Sequence, residues 1–148
     1  MRAEIKLIRE SSVMPKYATD GSAGLDLCAD IDDVMRIWPS VDEASVIIPT
    51  GVSIAIPVGY VGFLHIRSSV GSKLGLSLAN QVGVIDSDYR GEIMLAVKYN
   101  LRGNPIKIQP KQRLAQLVIV PVHQLELDLV DGFTSKTVRG AGGFGSTG

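Results

Sequence analysis

Residues 45–69, SVIIPTGVSIAIPVGYVGFLHIRSS, carry the pattern that decides the fold. Short apolar segments are separated by Pro-Thr-Gly and Pro-Val-Gly, tripeptides that are typical of turns. No segment of the chain shows the sustained three-to-four-residue stripe of an amphipathic helix. This stretch therefore predicts a series of short β-strands joined by tight turns.

The same two-residue period continues towards the C-terminus. Residues 92–100 place four apolar side chains on one face: Ile93, Leu95, Val97 and Tyr99. Residues 122–131, VHQLELDLVD, alternate polar side chains with His123 and three leucines. Residues 114–122, LAQLVIVPV, are almost entirely apolar, which predicts a strand covered on both faces.

These patterns predict an all-β domain, either a barrel or a jelly roll. Residues 70–76 indicate one helical turn, and residues 36–45 indicate a loop. Such a fold must protect its sheet edges, by closure or by oligomerisation. The apolar run around Ile119 suits a core or a subunit interface equally well.

Composition narrows the functional classes. The chain has 148 residues, 45% of them apolar, which is enough for one domain with a sizeable core. Its formal net charge is zero, which argues against a general nucleic-acid or membrane-surface binder. The single cysteine, Cys28, excludes an internal disulfide and a cysteine-based zinc site. The first ten residues resemble neither a signal peptide nor a membrane span, so we expect a soluble cytoplasmic protein.

The last ten residues, RGAGGFGSTG, suit phosphate binding. Glycines let N–H groups approach phosphate oxygens, and Ser146 and Thr147 add hydroxyl donors. Arg139 can pair with a phosphate through two N–H groups, and Phe144 offers a face on which a base can stack. The lysine of a P-loop is missing. The alternative is a disordered tail.

Two further stretches contain groups suited to phosphate chemistry. In residues 80–92, NQVGVIDSDYRGE, Asp86 could deprotonate a water or hold magnesium through water; the alternative is a solvated turn containing Asp86 and Asp88. Arg67, followed by Ser68 and Ser69, suits a phosphate clamp or a polar turn after a strand.

Polar groups also interrupt two apolar stretches. Asp26 in AGLDLCA needs partners if it is buried, but it could equally point outward. Gln116 in KQRLAQL needs hydrogen-bond partners, which the backbone can supply. The acidic run Asp30, Asp32 and Asp33 is most simply a solvated loop.

In order, the stretches AGLDLCA, RSS, GVIDSDYRGE, RLAQL and RGAGGFGSTG resemble the trimeric deoxyuridine triphosphatase (dUTPase) family over residues 23–148. The resemblance implies a jelly-roll-like distorted barrel at residues 1–131, with an insert at about 30–45. It implies a homotrimer with three active sites at subunit boundaries. A flexible arm, residues 132–148, would close over a site built by neighbouring subunits.

The implied reaction is hydrolysis of dUTP to dUMP and pyrophosphate, with Mg²⁺ on the phosphates. It would limit uracil incorporation into DNA and supply dUMP for thymidylate synthesis. The implied partners are dUTP and two further copies of the chain, without a nucleic acid polymer or a membrane.

The resemblance also implies a role for each matching residue. Asp86 would activate the water that attacks the α-phosphorus, and Asp26 would help to hold Mg²⁺ through water. The nucleoside would be read by Asn80, Gly83, Tyr89 and Phe144. The phosphates would be bound by Arg67, Ser68, Ser69, Gln116, Arg139, Ser146 and Thr147.

Three features depart from the family pattern. Ser69 stands where glycine is common, and Lys111-Gln112 replaces a common Gly-Asp pair. Residues 30–45 form a longer connection, either a surface insert or a partner-binding loop anchored by Trp38.

Three rival functions remain open on the sequence. A dCTP deaminase shares the fold, but the arm and IDSDY speak against it. A dUTP-sensing regulatory module is disfavoured by an intact Asp86. A plain structural jelly roll leaves the arm unexplained.

Overall fold

In the computed structural model, which describes residues 2–39, 45–143 and 145, the chain forms an all-β domain with one short helix. Its strands are β1 (Glu4–Leu7), β2 (Lys16–Tyr17), β3 (Leu25–Cys28), β4 (Met35–Ile37), β5 (Val46–Pro49), β6 (Val52–Ala55), β7 (Tyr60–Ile66), β8 (Leu76–Leu78), β9 (Gly83–Ile85), β10 (Met94–Tyr99), β11 (Ile106–Ile108) and β12 (Arg113–Pro121). Helix α1 spans Ser68–Leu74. The predicted all-β class is confirmed.

The largest sheet has five strands in the order β2-β3-β12-β7-β9, all paired antiparallel. Its long strand β12 lies between β3 and β7, with Leu117 opposite Leu25 on one side and Leu64 on the other. Leu117 and Leu64 are both buried. Cover on both faces, as predicted for residues 114–122, holds for Leu114, Ala115 and Leu117, whereas residues 118–120 are only half-buried and residues 121–122 are exposed.

Three smaller sheets complete the domain, with strand orders β5-β10-β8, β1-β6 and β11-β4. The predicted apolar face of residues 92–100 is confirmed, because all four of its side chains are buried: Ile93, Leu95, Val97 and Tyr99. They join a core to which every sheet contributes.

The turn between β5 and β6 depends on a glycine. Gly51 has φ +69°, and a Cβ at this position would lie 2.7 Å from Cγ of Asp30. Asp30 is itself buried, with Oδ2 bonded to Arg9 Nε at 2.9 Å and to Ser12 Oγ at 2.8 Å. The expectation that Asp30 belongs to a solvated loop is wrong, because this carboxylate links the N-terminal segment to the turn.

Three local predictions have different outcomes. Helix α1 confirms the predicted helical turn and begins two residues before it. The predicted loop at residues 36–45 is wrong at its start, because Arg36 and Ile37 pair with β11; residues 40–44 lie outside the described part of the chain. Residues 122–131 alternate as a strand would, yet they are exposed and lie outside every described strand, since a strand needs a partner.

Cys28 is buried, and burial raises the pKa of its thiol because the thiolate would lose its hydration. It is therefore a small core residue, as the sequence suggests. No helix in the described ranges is both long and apolar enough to cross a membrane.

Candidate active site

Asp86 follows the edge strand β9 directly. The pairing of Ile85 with Gly62 continues β9 along β7, so Asp86 emerges near Val61. The Tyr89 N–H donates to the Asp86 carbonyl at 3.2 Å, which closes a turn and leaves the Asp86 side chain exposed. A carboxylate in this position is open to a ligand.

The loop of residues 86–93 rests on the β5–β6 turn. Three hydrogen bonds join it to the turn and to the start of β6. Ser53 Oγ donates to the Arg90 carbonyl at 2.8 Å, the Gly51 N–H donates to Glu92 Oε1 at 2.7 Å, and Thr50 Oγ1 donates to the Ile93 carbonyl at 2.6 Å. Ser53 and Thr50 are buried. The exposed loop is therefore attached to the core, which limits its conformational freedom.

Two clefts flank this loop and share Val84 and Asp86. The larger, of about 500 Å³, is bounded by β7 and by the segment after β12. The smaller, of about 210 Å³, is lined by Val84, Ile85, Asp86, Tyr89, Glu92, Ile93 and Met94. Asp86 and Tyr89, which the sequence predicts to share one site, lie together in the lining of the smaller cleft.

Asn80 and Gly83 lie at the opposite end of β9 from Asp86. Gly83 pairs with Leu64, and a Cβ on it would lie 3.0 Å from Leu64 Cβ. Asn80 is exposed in the preceding turn, where its carbonyl accepts the Val82 N–H at 2.6 Å. Neither residue lines the two clefts around Asp86.

A second polar centre surrounds Asp26, which is only 8% exposed. Its Oδ1 lies 3.1 Å from Arg67 Nε, and its Oδ2 lies 2.9 Å from Arg113 Nη1. Asp26 therefore points at partners rather than outward, and it holds two guanidinium groups side by side. One carboxylate against two cations leaves this centre with a net positive charge.

A basic cleft of about 400 Å³ opens beside this centre, between the start of α1 and the start of β12. Its lining contains three cationic side chains and two polar ones: Arg67, Lys73, Arg113, Ser69 and Gln112. Ser68 is exposed next to it. Arg67 and Ser69 thus line one positively charged cleft, whereas Gln116 lies outside its lining, between Asp26 and His65 in the sheet.

The two centres lie at opposite ends of β7. Asp86 emerges near Val61, and Arg67 follows Ile66. Six residues of extended strand span about 20 Å. A triphosphate does not reach across this distance, so the Asp86 loop and the basic cleft of one chain do not hold the same phosphate group.

The described residues of the predicted arm, 132–143 and 145, line neither the clefts at Asp86 nor the basic cleft. Arg139 is exposed, and its Nε donates to the Gly142 carbonyl at 3.0 Å within the arm. Phe144, Ser146 and Thr147 lie outside the described residues.

The dUTPase family model matches residues 10–148 of the chain. The chain belongs to the dUTPase family. A deoxyuridine 5'-triphosphate nucleotidohydrolase of Polynucleobacter asymbioticus is 46% identical over 148 residues, which cover 98% of this chain and 96% of that protein. One of Alcanivorax borkumensis is 48% identical over 140 residues, covering 94% and 90%.

Solved dUTPase structures match the fold. A Staphylococcus bacteriophage 80alpha dUTPase with dUpNHpp has a TM-score of 0.84 and 29% identity, over 99% of this chain and 98% of that one. A variant dUTPase from phage phi11 of S. aureus, described with a structural Mg(II) ion, has a TM-score of 0.82 and 28% identity, over 91% and 100%. The predicted jelly-roll-like dUTPase fold and family resemblance are confirmed.

Sequence reasoning missed three residues of these sites: Lys73, Arg113 and Glu92. Lys73 and Arg113 line the basic cleft, and Glu92 lines the smaller Asp86 cleft. The sequence could have indicated Arg113, because it is a cation at the first position of an apolar strand and must find a partner or solvent there. Lys73 and Glu92 carry no such signal, since their places depend on packing of α1 and of the β5–β6 turn.

Asp26 keeps hydrogen-bond acceptor positions beyond those that its two arginines use. Across residues 2–39, 45–143 and 145, no three His, Cys, Asp or Glu side chains cluster as direct metal ligands. Asp26 uses one acceptor position on each oxygen for an arginine. A carboxylate has about four such positions, so acceptors remain for a metal-bound water.

We expect Asp26→Asn to destabilise the protein by about 1–3 kcal/mol, because two neighbouring guanidinium groups lose their shared counter-ion. The value is lower than for a fully buried pair, since Arg67 and Arg113 are 26% and 49% exposed. Urea denaturation at one fixed protein concentration measures it. Asp20→Asn, an exposed carboxylate outside the four ion pairs of the described residues, is the control. Equal midpoints for the two variants would contradict the structural role.

Proposed function

We propose that this dUTPase-family chain hydrolyses dUTP to dUMP and pyrophosphate with Asp86 as its general base. The observation that carries this proposal is the placement of Asp86: exposed, shared by two clefts, and on a loop bonded to the core. The product dUMP supplies thymidylate synthesis, and removal of dUTP limits uracil in DNA. We place this activity in the cytoplasm.

In the chemical step, Asp86 orients a water and accepts its proton as the water oxygen attacks the α-phosphorus in line. The bond from this phosphorus to the bridging oxygen breaks, and pyrophosphate leaves with the electron pair. An aspartate is a weak base, but confinement of the water in attacking geometry supplies much of the acceleration. The bonded loop provides the rigidity that such positioning requires.

The nucleoside is recognised around β9. Tyr89 packs on the sugar and leaves no space for a 2′-hydroxyl. Asn80 and the backbone at Gly83 read uracil, and the close approach of β9 to β7 at Leu64 favours a tight hairpin. Phe144 of the arm stacks on the base. The arm excludes bulk water when it closes, which strengthens every charged contact inside.

The phosphates bind at the basic cleft. Arg67 contacts them there together with Ser68 and the backbone at Ser69. Gln116 adds a contact from the sheet beside this cleft, and the arm adds Arg139, Ser146 and Thr147. A neutral protein meets a strongly anionic ligand by such local concentration of cations. When bound, Mg²⁺ would neutralise charge on the triphosphate, and Asp26 would help to hold it by accepting a hydrogen bond from a metal-bound water.

The separation of the two centres implies a shared site. A nucleotide that touches Asp86 of one chain must find its basic cleft on another chain, because about 20 Å of β7 lies between them. Exposed leucines after β12 also need cover: Leu125, Leu127 and Leu129 are 77%, 88% and 103% exposed. Both observations support an oligomer, and the resemblance to the trimeric dUTPase family specifies the number of subunits. We therefore propose a homotrimer with sites at its subunit boundaries, each closed by the arm of residues 132–148.

Product analysis tests the reaction. With Mg²⁺, the purified protein should release pyrophosphate from dUTP and not from dCTP, dTTP or UTP at comparable rates. Ammonia release from dCTP would instead indicate a deaminase.

Asp86→Asn should lower kcat by about 10³-fold, within the range for loss of a general base, and leave binding of dUpNHpp intact. Asp88→Asn is the matched control, because Asp88 lines only the larger cleft. Equal losses in both variants would contradict the assignment to Asp86.

Mixing of two inactive variants tests the shared site. We expect Asp86→Asn and Arg67→Ala chains to be inactive alone and to regain activity when co-expressed. In random trimers, about a quarter of the sites combine an intact Asp86 from one chain with an intact Arg67 from another. Absence of any rescue in mixed trimers would place both residues of a site on one chain, against the proposal.

Removal of residues 139–148 tests the arm. We expect loss of nearly all turnover with an unchanged unfolding temperature, because the described residues of the arm are mostly exposed and bond within the arm. Calorimetry and pyrophosphate release measure the two quantities. A large drop in the unfolding temperature would make the arm structural rather than a lid.

A further inference from the structure

The ring of Tyr89 occupies the volume that a side chain at position 91 would fill. A Cβ placed on Gly91 would overlap Tyr89 Oη and would lie 2.5 Å from Cζ and 2.8 Å from Cε2. Contacts this short do not occur for real Cβ atoms, and the atoms involved belong to a rigid ring. Tyr89 therefore folds back over Gly91, and glycine is required there for the ring to keep this place.

Glu92 fixes the far end of the same ring through its main chain. Tyr89 Oη donates to the Glu92 carbonyl at 2.9 Å, while Glu92 Oε1 accepts the Gly51 N–H at 2.7 Å. The two bonds act together, because the bond between the Glu92 side chain and Gly51 keeps the Glu92 carbonyl in place to accept the Tyr89 hydroxyl. Glu92 thus joins the exposed ring to the core turn.

The support continues below Gly51. The turn is packed against the buried carboxylate of Asp30, which accepts a hydrogen bond from Ser12 and forms an ion pair with the more exposed Arg9. A chain of contacts therefore runs from the N-terminal segment through the β5–β6 turn to the ring. Tyr89 is 43% exposed, so its side chain would be free to change rotamer without these contacts. The contacts restrict that movement.

The position of this ring determines the shape of the smaller cleft, which Asp86, Tyr89 and Glu92 line together. Rejection of one hydroxyl by steric contact fails if the contacting group can move aside. Discrimination against ribose therefore depends on what holds Tyr89 as much as on Tyr89 itself.

We propose that Gly91 and Glu92 are positioning residues that hold Tyr89 and so set the preference for deoxyribose over ribose nucleotides. This inference rests on the proposed function, in which Tyr89 packs on the sugar. It assigns to Gly91 and Glu92 a role in specificity that acts through the position of the Tyr89 ring.

The experiment compares kcat/KM for dUTP and for UTP, and takes their ratio as the readout. Gly91→Ala should lower the ratio by about tenfold, because the ring must leave its place. Glu92→Ala should lower it less, because the carbonyl remains but loses its anchor. Glu92→Gln keeps an acceptor at the same position and should restore the wild-type ratio. Gly21→Ala, at an exposed glycine with free space around it, is the matched control and should leave the ratio unchanged.

The ratio separates positioning from a purely structural role. A variant that is merely less stable loses activity towards both nucleotides equally, so an unchanged ratio in folded Gly91→Ala and Glu92→Ala would overturn the inference. If Gly91→Ala does not fold, Glu92→Ala and Tyr89→Phe carry the test, since Tyr89→Phe keeps the ring and removes its bond to Glu92. A wild-type protein that does not hydrolyse dUTP would refute the proposed function instead, which is a separate result.

Discussion

The antiparallel pairing of β12 with β7 and β3 is the constraint on which the rest of the structure depends. Its register aligns Leu117 with Leu25 and Leu64, and this aligned apolar row holds the centre of the large sheet. The same register sets Arg113 beside Cys28 on β3, within reach of Asp26, and it carries Arg67 to that end of the sheet. Packing of apolar side chains thus creates the ion-pair centre as a consequence of strand alignment.

The length of β7 then separates two kinds of chemistry. Its C-terminal end faces the cations, and its N-terminal end adjoins the loop of Asp86. A single rigid strand cannot bring them closer, which is why the proposed site draws the two centres from different chains. The exposed leucines after β12 also favour association between chains, because apolar side chains in solvent gain from being covered.

The loop of residues 86–93 shows how an exposed site can remain ordered. Its carbonyl and side-chain groups are satisfied by the β5–β6 turn, and the turn is held by Asp30. Gly51 and Gly91 permit the two close approaches that this arrangement needs. The order of this surface loop therefore originates in buried and half-buried hydrogen bonds to the turn beneath it.

The sequence by itself determined the strand class, the presence of an apolar strand from residue 114 onward, the buried face at Leu95 and the family, because periodicity and motifs are local properties of the chain. Tertiary structure decided which charges meet. Asp30 is buried although its neighbours suggest solvent, and Asp26 acquires Arg113 from 87 residues away. The place of Glu92 beneath Tyr89 depends likewise on how one turn packs on another. Contacts between distant segments follow from strand register, which no local pattern encodes.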